Sequence, residues 1–446
     1  MKRLLATSIA LATLATTAHA NVFLPGGVNA GGGTPGPGLG LDGWNSDAFY
    51  YQGAVLGQGY LTLSNSRNHI INPAYSLDLQ DSAELNQTGF GTAAFSGGGW
   101  TSVFGQNMGI YLGRPTADGD LYRRDTDGDG TLDSSAIPDV GGSFAPTNIA
   151  DIYWASSLDA GDLGLRFNLR ATSRSNDFDV QGDDDDEFSG GFYETNITTG
   201  FIFNNMPLEV TATVGMPFGS FNAIDEGNND LEGTFSHDSG LRFGATGKYT
   251  ALEDSDSATM VSGFIGRTAA SFLTEAEDDD NEFTDQVNIQ TRLSFGLVGS
   301  HERFVNNRTR ITTSLGLTRT SATIGFENQL DGNESEDYVD YVRYRMPFAM
   351  GLEFSSSDRT SWAASVSDNL FSHNSQANYS WNAGEEEAEE ITNASTNWGI
   401  SNPQARIGFE REVVDRLHAR FVVNQALFTA GVNNALTTHA QISYDF

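Results

Sequence analysis

Leu436-Thr437-Thr438-His439-Ala440-Gln441-Ile442-Ser443-Tyr444-Asp445-Phe446 decides the fold. Leu436, Thr438, Ala440, Ile442, Tyr444 and Phe446 take alternate places, and Thr437, His439, Gln441, Ser443 and Asp445 take those between. Successive side chains of a strand point to opposite faces. One face is therefore apolar and ends in an aromatic pair, and the other is polar and charged. A helix would need apolar residues three and four apart.

This stretch is similar to the closing strand of Gram-negative outer-membrane β-barrels. Those strands end in Phe, with an aromatic residue two places earlier and apolar residues at alternate places before it. Ile442, Tyr444 and Phe446 carry the likeness. The resemblance implies a barrel-closing strand read by the barrel assembly machinery, and a surface in contact with outer-membrane lipid and lipopolysaccharide.

The other end agrees. Met1-Lys2-Arg3, an apolar run from Leu4, and Ala18-His19-Ala20 have the layout of a signal peptide over residues 1–20, with the mature chain from Asn21. The apolar run is shorter than the ~20 residues a spanning helix needs, and no later stretch supplies one. Cysteine is absent, which removes disulfide and thiol chemistry. The net charge of -34 excludes nucleic acid as a partner, since that needs a basic footprint. Mean hydropathy is -0.33, low for a membrane protein of helices. It suits a barrel, where only every second strand residue meets lipid.

From about residue 85 the alternation repeats. Leu163, Leu165, Phe167 and Leu169 alternate with Gly164, Arg166, Asn168 and Arg170; Leu208 to Phe218, Val287 to Leu297, Val342 to Phe354 and Leu417 to Val423 behave alike. Short connections such as Asp159–Asp162 and Ser356–Arg359 take turns with long acidic ones at Asp183–Glu187, Asp225–Glu232, Glu275–Glu282, Asp331–Asp337 and Glu385–Glu390. That sorting is expected of periplasmic turns and extracellular loops. Both termini on the periplasmic side require an even strand number. The expectation is all-β: a single-chain transmembrane antiparallel β-barrel of about 16 strands, with 14 as the alternative, over residues 81–446.

Residues 21–80 are Gly/Pro-rich and read either as a periplasmic tail or as a plug in the lumen. Phe49, Tyr50 and Tyr51, the Leu56–Leu63 stretch and Asn72-Pro73-Ala74 resemble the N-terminal hatch of FadL-type transporters of hydrophobic compounds.

Two chemistries stand out. Asp125, Asp127, Asp129 and Asp133, with Gly130 for the sharp turn and Thr131 offering a carbonyl, suit an oxygen cage for Ca²⁺. This loop, 125–133, resembles thrombospondin type 3 repeats and the first part of an EF-hand, but Ala136 stands where an EF-hand has its bidentate Glu. The alternative is a solvated acidic loop. Second, Arg166, Arg170, Arg174, Arg242, Lys248, Arg292, Arg343, Arg345, Arg406 and Arg420 share the polar face with Glu209, Glu353, Glu410 and Glu412. They form either a basic pore lining that sets ion preference or a self-neutralised wall. Arg319 falls on the apolar face, near the outer end of its strand, where it would meet lipid headgroups.

His373-Asn374-Ser375 has the spacing of a barrel phospholipase pair but lacks that family's surrounding residues, and no catalytic residues are assigned. The expectation is a non-enzymatic, porin-like outer-membrane channel for passive diffusion of small solutes, a class that allows a homotrimer. The alternatives are a FadL-like transporter and a non-transporting surface or adhesion barrel.

Overall fold

The computed structural model describes His69 and residues 72–79, 81–88, 94–113, 147–179, 185–225, 231–277, 282–330, 333–382, 389–399, 404–426 and 436–446. Apart from His69 and a 3-10 helix at Pro73–Leu79, regular structure in these residues is all strand. The strands are β1 (Ser82–Thr88), β2 (Ala94–Val103), β3 (Gln106–Leu112), β4 (Thr147–Leu158), β5 (Gly161–Asp179), β6 (Asp185–Phe203), β7 (Leu208–Asp225), β8 (Leu231–Glu253) and β9 (Ser257–Glu277). They continue as β10 (Glu282–Asn306), β11 (Thr309–Leu330), β12 (Asn333–Ser357), β13 (Thr360–Asn382), β14 (Glu389–Trp398), β15 (Gln404–Val414), β16 (Leu417–Ala426) and β17 (Leu436–Asp445).

Each strand pairs antiparallel with its sequence neighbour, except at one place. Both β14 and β15 pair with β13, β14 along Phe371–Ser380 and β15 along Thr360–Ser367. They are therefore two halves of one stave, and the 17 strands make 16 staves. The ring closes where β1 pairs with β17, Ser82 opposite Asp445 and Thr88 opposite His439. Beyond the last ladder residue, the Phe446 amide donates to the Asp81 carbonyl at 2.7 Å. Closure removes the free edge that a membrane could not satisfy.

Burial is inverted relative to a water-soluble sheet. On β5, Arg166, Asn168 and Arg170 are buried while Leu165 and Phe167 are exposed. On β11, Thr312 and Ser314 are buried while Leu315 and Leu317 are exposed. The polar face thus lines the interior, and the apolar face forms an outer band suited only to lipid. Aromatic pairs mark the edges of that band: Trp362 with Phe409, ring centroids 4.6 Å apart, and Tyr444 with Phe446 toward the end holding the short turns. Tyr193 with Phe218 and Phe371 with Trp398 lie further along their strands. This is the arrangement of a transmembrane, outer-membrane-type barrel.

Leu317 is 66% exposed in the middle of the band. Leu317→Arg is expected to destabilise the folded barrel by about 2–4 kcal/mol, the cost of a cation at the bilayer midplane. Thr318→Arg, on the inward face beside it, is expected to cost less. Urea titration in lipid vesicles, read by gel mobility without boiling, checks both.

The acidic connections are shorter than their sequence suggests. β11 and β12 run to Leu330 and from Asn333, so Asn333–Asp337 continues the ladder. A membrane-spanning strand needs only about 9–11 residues, whereas β10 and β12 have 25 each. The ladder is made by backbone groups and carries on past the lipid whatever the side-chain charge. Alternation is interrupted where β2 and β3 join in a hairpin through Phe104 and Gly105, and along β13, which is thrown out of phase by a bulge at Leu370, opposite Met346 and Pro347.

Candidate functional site

Part of the interior is occupied: the 3-10 helix lies against the inner wall formed by β2–β6. Asn72-Pro73-Ala74 begins the 3-10 helix. The Asn72 side-chain oxygen accepts the Ala74 amide at 3.1 Å, and the Asn72 carbonyl accepts the Tyr75 amide at 3.0 Å. Asn favours this local turn, and Pro73 has the fixed φ that a first helical position wants. Asn72, Pro73, Ala74 and Ser76 are buried against the inner wall.

The wall is shaped to receive them. Gly164 of β5 and Gly200 of β6 are direct ladder partners, both on the inward face. A Cβ on Gly164 would overlap the backbone of Pro73 and Ala74, and one on Gly200 would overlap the Asn72 side chain. Two facing glycines therefore leave a bare patch on which the helix lies. Asn107 of β3 donates from its side-chain nitrogen to the Ser76 carbonyl. Farther along, Ser82 Oγ donates to the Leu79 carbonyl at 2.7 Å, fixing the helix end to the first strand.

His69 lies in an aromatic box. Its ring centroid is 4.9 Å from Trp100, 5.1 Å from Tyr153 and 6.2 Å from Tyr111. Trp100, Tyr111 and Tyr153 form a buried cluster with Leu79 packed against it. Inward Gly109 leaves the space that the Trp100 ring fills.

Beside the helix runs a buried polar network. Arg170 meets Glu194 at 3.4 Å, and Arg242 meets the same carboxylate at 2.9 Å. Arg242 on β8 reaches β6 across Gly215 of β7, where a Cβ would overlap the Asn196 side chain and crowd that of Arg242. Arg166 donates to Thr198 Oγ1 at 3.0 Å and lies 3.8 Å from Asp151. Asn168 bridges Asp151, Asn148, Arg170 and Asn196. Elsewhere Lys248 meets Glu209 at 2.8 Å, Arg310 meets Glu353 and Glu302, and Arg343 donates to Asn374.

Of the basic residues expected on the inner face, Arg166, Arg170 and Arg242 are buried there, and Lys248, Arg343 and Arg345 are half-buried there. The side chains of Arg174, Arg292, Arg406 and Arg420 lie outside the described residues, as do Asp125, Asp127, Asp129, Thr131 and Asp133 of the Ca²⁺ loop and the signal peptide. Of the carboxylates named with the basic face, Glu209 meets Lys248 of that face, whereas Glu353 meets Arg310, Glu412 meets Arg359 at 3.4 Å, and Glu410 lies 3.8 Å from His418, none of which was among the basic residues expected there. The sequence reading missed Asp151, Glu194, Arg310 and the aromatic box. Inward glycines facing one another on neighbouring strands were the available signal for the docking patch. His373 and Ser375 are in register with Tyr344 and Val342 of the outward face, and His373 shares a hydrogen bond with Thr396 Oγ1 at 2.8 Å. In the closing strand, Ile442, Tyr444 and Phe446 are exposed on the outer face.

The docked helix has an electrostatic bias. Burial pushes the Tyr75 hydroxyl pKa well up, and the neighbouring Glu209 carboxylate, which accepts its hydrogen bond, adds to that. Tyr75 thus stays neutral and holds the helix to β7. Partial desolvation beside the wall raises the Asp78 carboxyl, which stays exposed to solvent on one side, above its ordinary 3.8, with the Asp162 charge of β5 adding to it. An acid whose pKa is higher when docked binds its proton more tightly there. Docking is therefore favoured below the ordinary Asp range, and that contribution is lost as pH rises through the raised value. Docking of the helix is expected to strengthen as pH falls from neutral toward the ordinary Asp range. Asp78→Asn is expected to weaken the dependence and keep the helix docked at neutral pH. Vesicle permeability measured across this range checks it.

No protein-family model matches the chain, and no curated protein matches it. Among solved structures it is similar to the CymD monoaromatic hydrocarbon channel, with 10% identity, 88% of this chain and 97% of that one covered, and a TM-score of 0.37. It is also similar to the toluene transporter TodX of Pseudomonas putida, with 11% identity, 85% and 92% covered, and a TM-score of 0.34. The translocator domain of the autotransporter NalP from Neisseria meningitidis aligns at 11% identity over 63% of this chain and 88% of that one, with a TM-score of 0.29. Likeness at this level adds nothing to the ladder itself, on which the barrel assignment stands.

Proposed function

We propose that the chain is a diffusion channel of the Gram-negative outer membrane whose lumen is held shut by its own N-terminal segment. The observation that carries this reading is the seating of Asn72–Leu79 on the bare Gly164–Gly200 patch. A filler needed only for stability would be served by larger wall side chains. A separate segment, joined to the wall by a few polar contacts, can leave and return. The turns at the β1–β17 closure rim lie on the periplasmic side, and the acidic connections at the opposite rim face outward. Small solutes cross passively when the segment is displaced, with no covalent chemistry.

The wall favours a selective passage over a charged one. Among the described residues Arg170 and Arg242 share Glu194, Lys248 meets Glu209 and Arg310 meets Glu353, which supports a wall whose cations are held by carboxylates of the wall itself. Transport of hydrophobic compounds is the second reading, favoured by the Trp100–Tyr111–Tyr153 box. It would accept a flat aromatic ring in the place of the His69 imidazole. Liposome uptake separates the two. A general channel passes sugars and a monocyclic aromatic acid alike once the segment is displaced, and Trp100→Ala alters neither. An aromatic route passes the aromatic solute preferentially and loses that preference in Trp100→Ala. Ca²⁺ at Asp125–Asp133 is a separate proposal: chelation is expected to raise protease sensitivity of that loop without changing lumen permeability.

A further inference from the structure

Arg319 is a cation on the face where every other argument places lipid. On β11 it follows exposed Leu315 and Leu317 in the outward series. Its two ladder partners are Phe295 of β10 and Tyr344 of β12. The guanidinium carbon is 5.9 Å from the Phe295 ring centroid and 5.7 Å from that of Tyr344. The cation is thus held between two aromatic faces. Its Nε is buried and lacks a hydrogen-bond partner among the described residues. The outward neighbours on the same and adjoining rows, Leu293, Leu317, Ser321, Val342 and Met346, carry no charge. Arg267 of β9, exposed on the same face, stands in register between Phe243 and Leu293 one row further from the short turns.

Height identifies the surroundings. From Ile311, near the short-turn end, to Arg319 the strand climbs about 20 Å along a barrel tilted ~40°. The apolar band of such barrels is about 25 Å tall. Arg319 therefore sits at the edge of the band nearer the long connections. A cation merely snorkelling from the lipid has no need of an aromatic clamp on each side. The clamp orders the planar fork and aims it along the barrel surface, the preorganisation that suits two phosphate oxygens.

We propose that Arg319 seats a phosphate of a phosphorylated outer-leaflet glycolipid, lipopolysaccharide, with Phe295 and Tyr344 holding the guanidinium and Arg267 adding charge above. The inference rests on the orientation given under Proposed function. It is independent of what fills the lumen.

The test uses the full mature chain in detergent and native mass spectrometry with diphosphoryl lipid A, dephosphorylated lipid A and phosphatidylglycerol as probes. Diphosphoryl lipid A is expected to bind about tenfold more tightly than its dephosphorylated form, as suits one charge-assisted contact. Arg319→Gln is expected to lose that preference, and Arg319→Lys to keep part of it. Arg303→Gln, removing an exposed cation near the short-turn end of β10, is expected to leave it intact. Gel mobility without boiling confirms that each variant is folded. Unchanged preference in Arg319→Gln, or equal loss in Arg303→Gln, overturns the site. Binding of phosphatidylglycerol as tight as that of lipid A overturns the lipid assigned to it, and surface labelling of the long connections in intact cells tests the orientation separately.

Discussion

Gly164→Val is expected to open the lumen while leaving the barrel folded. The nearest atoms to a Cβ at this position belong to Pro73 and Ala74, not to the wall, and they are backbone atoms that cannot swing aside. Forcing a side chain into such a contact costs about 1–3 kcal/mol. Spent on the docked state alone, this lowers the ratio of docked to undocked segment by roughly 5- to 150-fold. Gly200→Val should act in the same direction through the Asn72 side chain. Gly244→Val is the control. It lies on the inward face of β8, and its Cβ would approach only the Ile265 carbonyl at 3.8 Å. Vesicle swelling in small sugars is expected to rise for the first two and not for the third. A Gly164→Val barrel as tight as the parent would mean that the helix does not form the barrier.

Glu194→Ala carries the largest expected loss of stability. Glu194 is 1% exposed and is the shared acceptor for Arg170, Arg242 and the Asn196 amide. Removing one partner of a buried ion pair costs about 3–5 kcal/mol, because the remaining charge stays desolvated. Here two guanidinium groups are affected together. Glu194→Ala with Arg242→Met is expected to recover part of the loss, since one stranded cation leaves with its carboxylate. Glu353→Ala is expected to cost less, because Glu353 and Arg310 are each 22% exposed at the side chain and partly solvated. Denaturant midpoints in lipid vesicles order the three. Equal midpoints for Glu194→Ala and Glu353→Ala would contradict the burial of this network.

The fold was legible because a barrel writes itself in a period of two. Leu163 to Arg170 and Val342 to Phe354 show both faces, and the Ile442, Tyr444 and Phe446 series marks the closing strand. Parity supplied the even number. Strand limits were harder, since acidic side chains beyond the lipid, as at Glu334 and Glu336, leave the backbone ladder with Gln329 and Glu327 undisturbed. The interior was half legible. Parity put Arg166, Arg170 and Arg242 inside, but a linear pattern does not say which carboxylate faces which cation. The Arg242–Glu194 contact spans three strands and exists because Gly215 leaves room between them. Asn72-Pro73-Ala74 stood out only by its likeness to a hatch segment, and its seat depends on two glycines that are neighbours only after β5 and β6 pair.

Occlusion by the N-terminal segment is the central claim, and single-channel conductance in planar bilayers tests it most directly. The described barrel wall begins at Ser82, so a chain lacking residues 21–80 retains every described strand. The intact protein is expected to sit closed, with rare brief openings, and the shortened one to show large, long-lived steps. Large steady steps from the intact protein, matching those of the shortened one, would contradict the account.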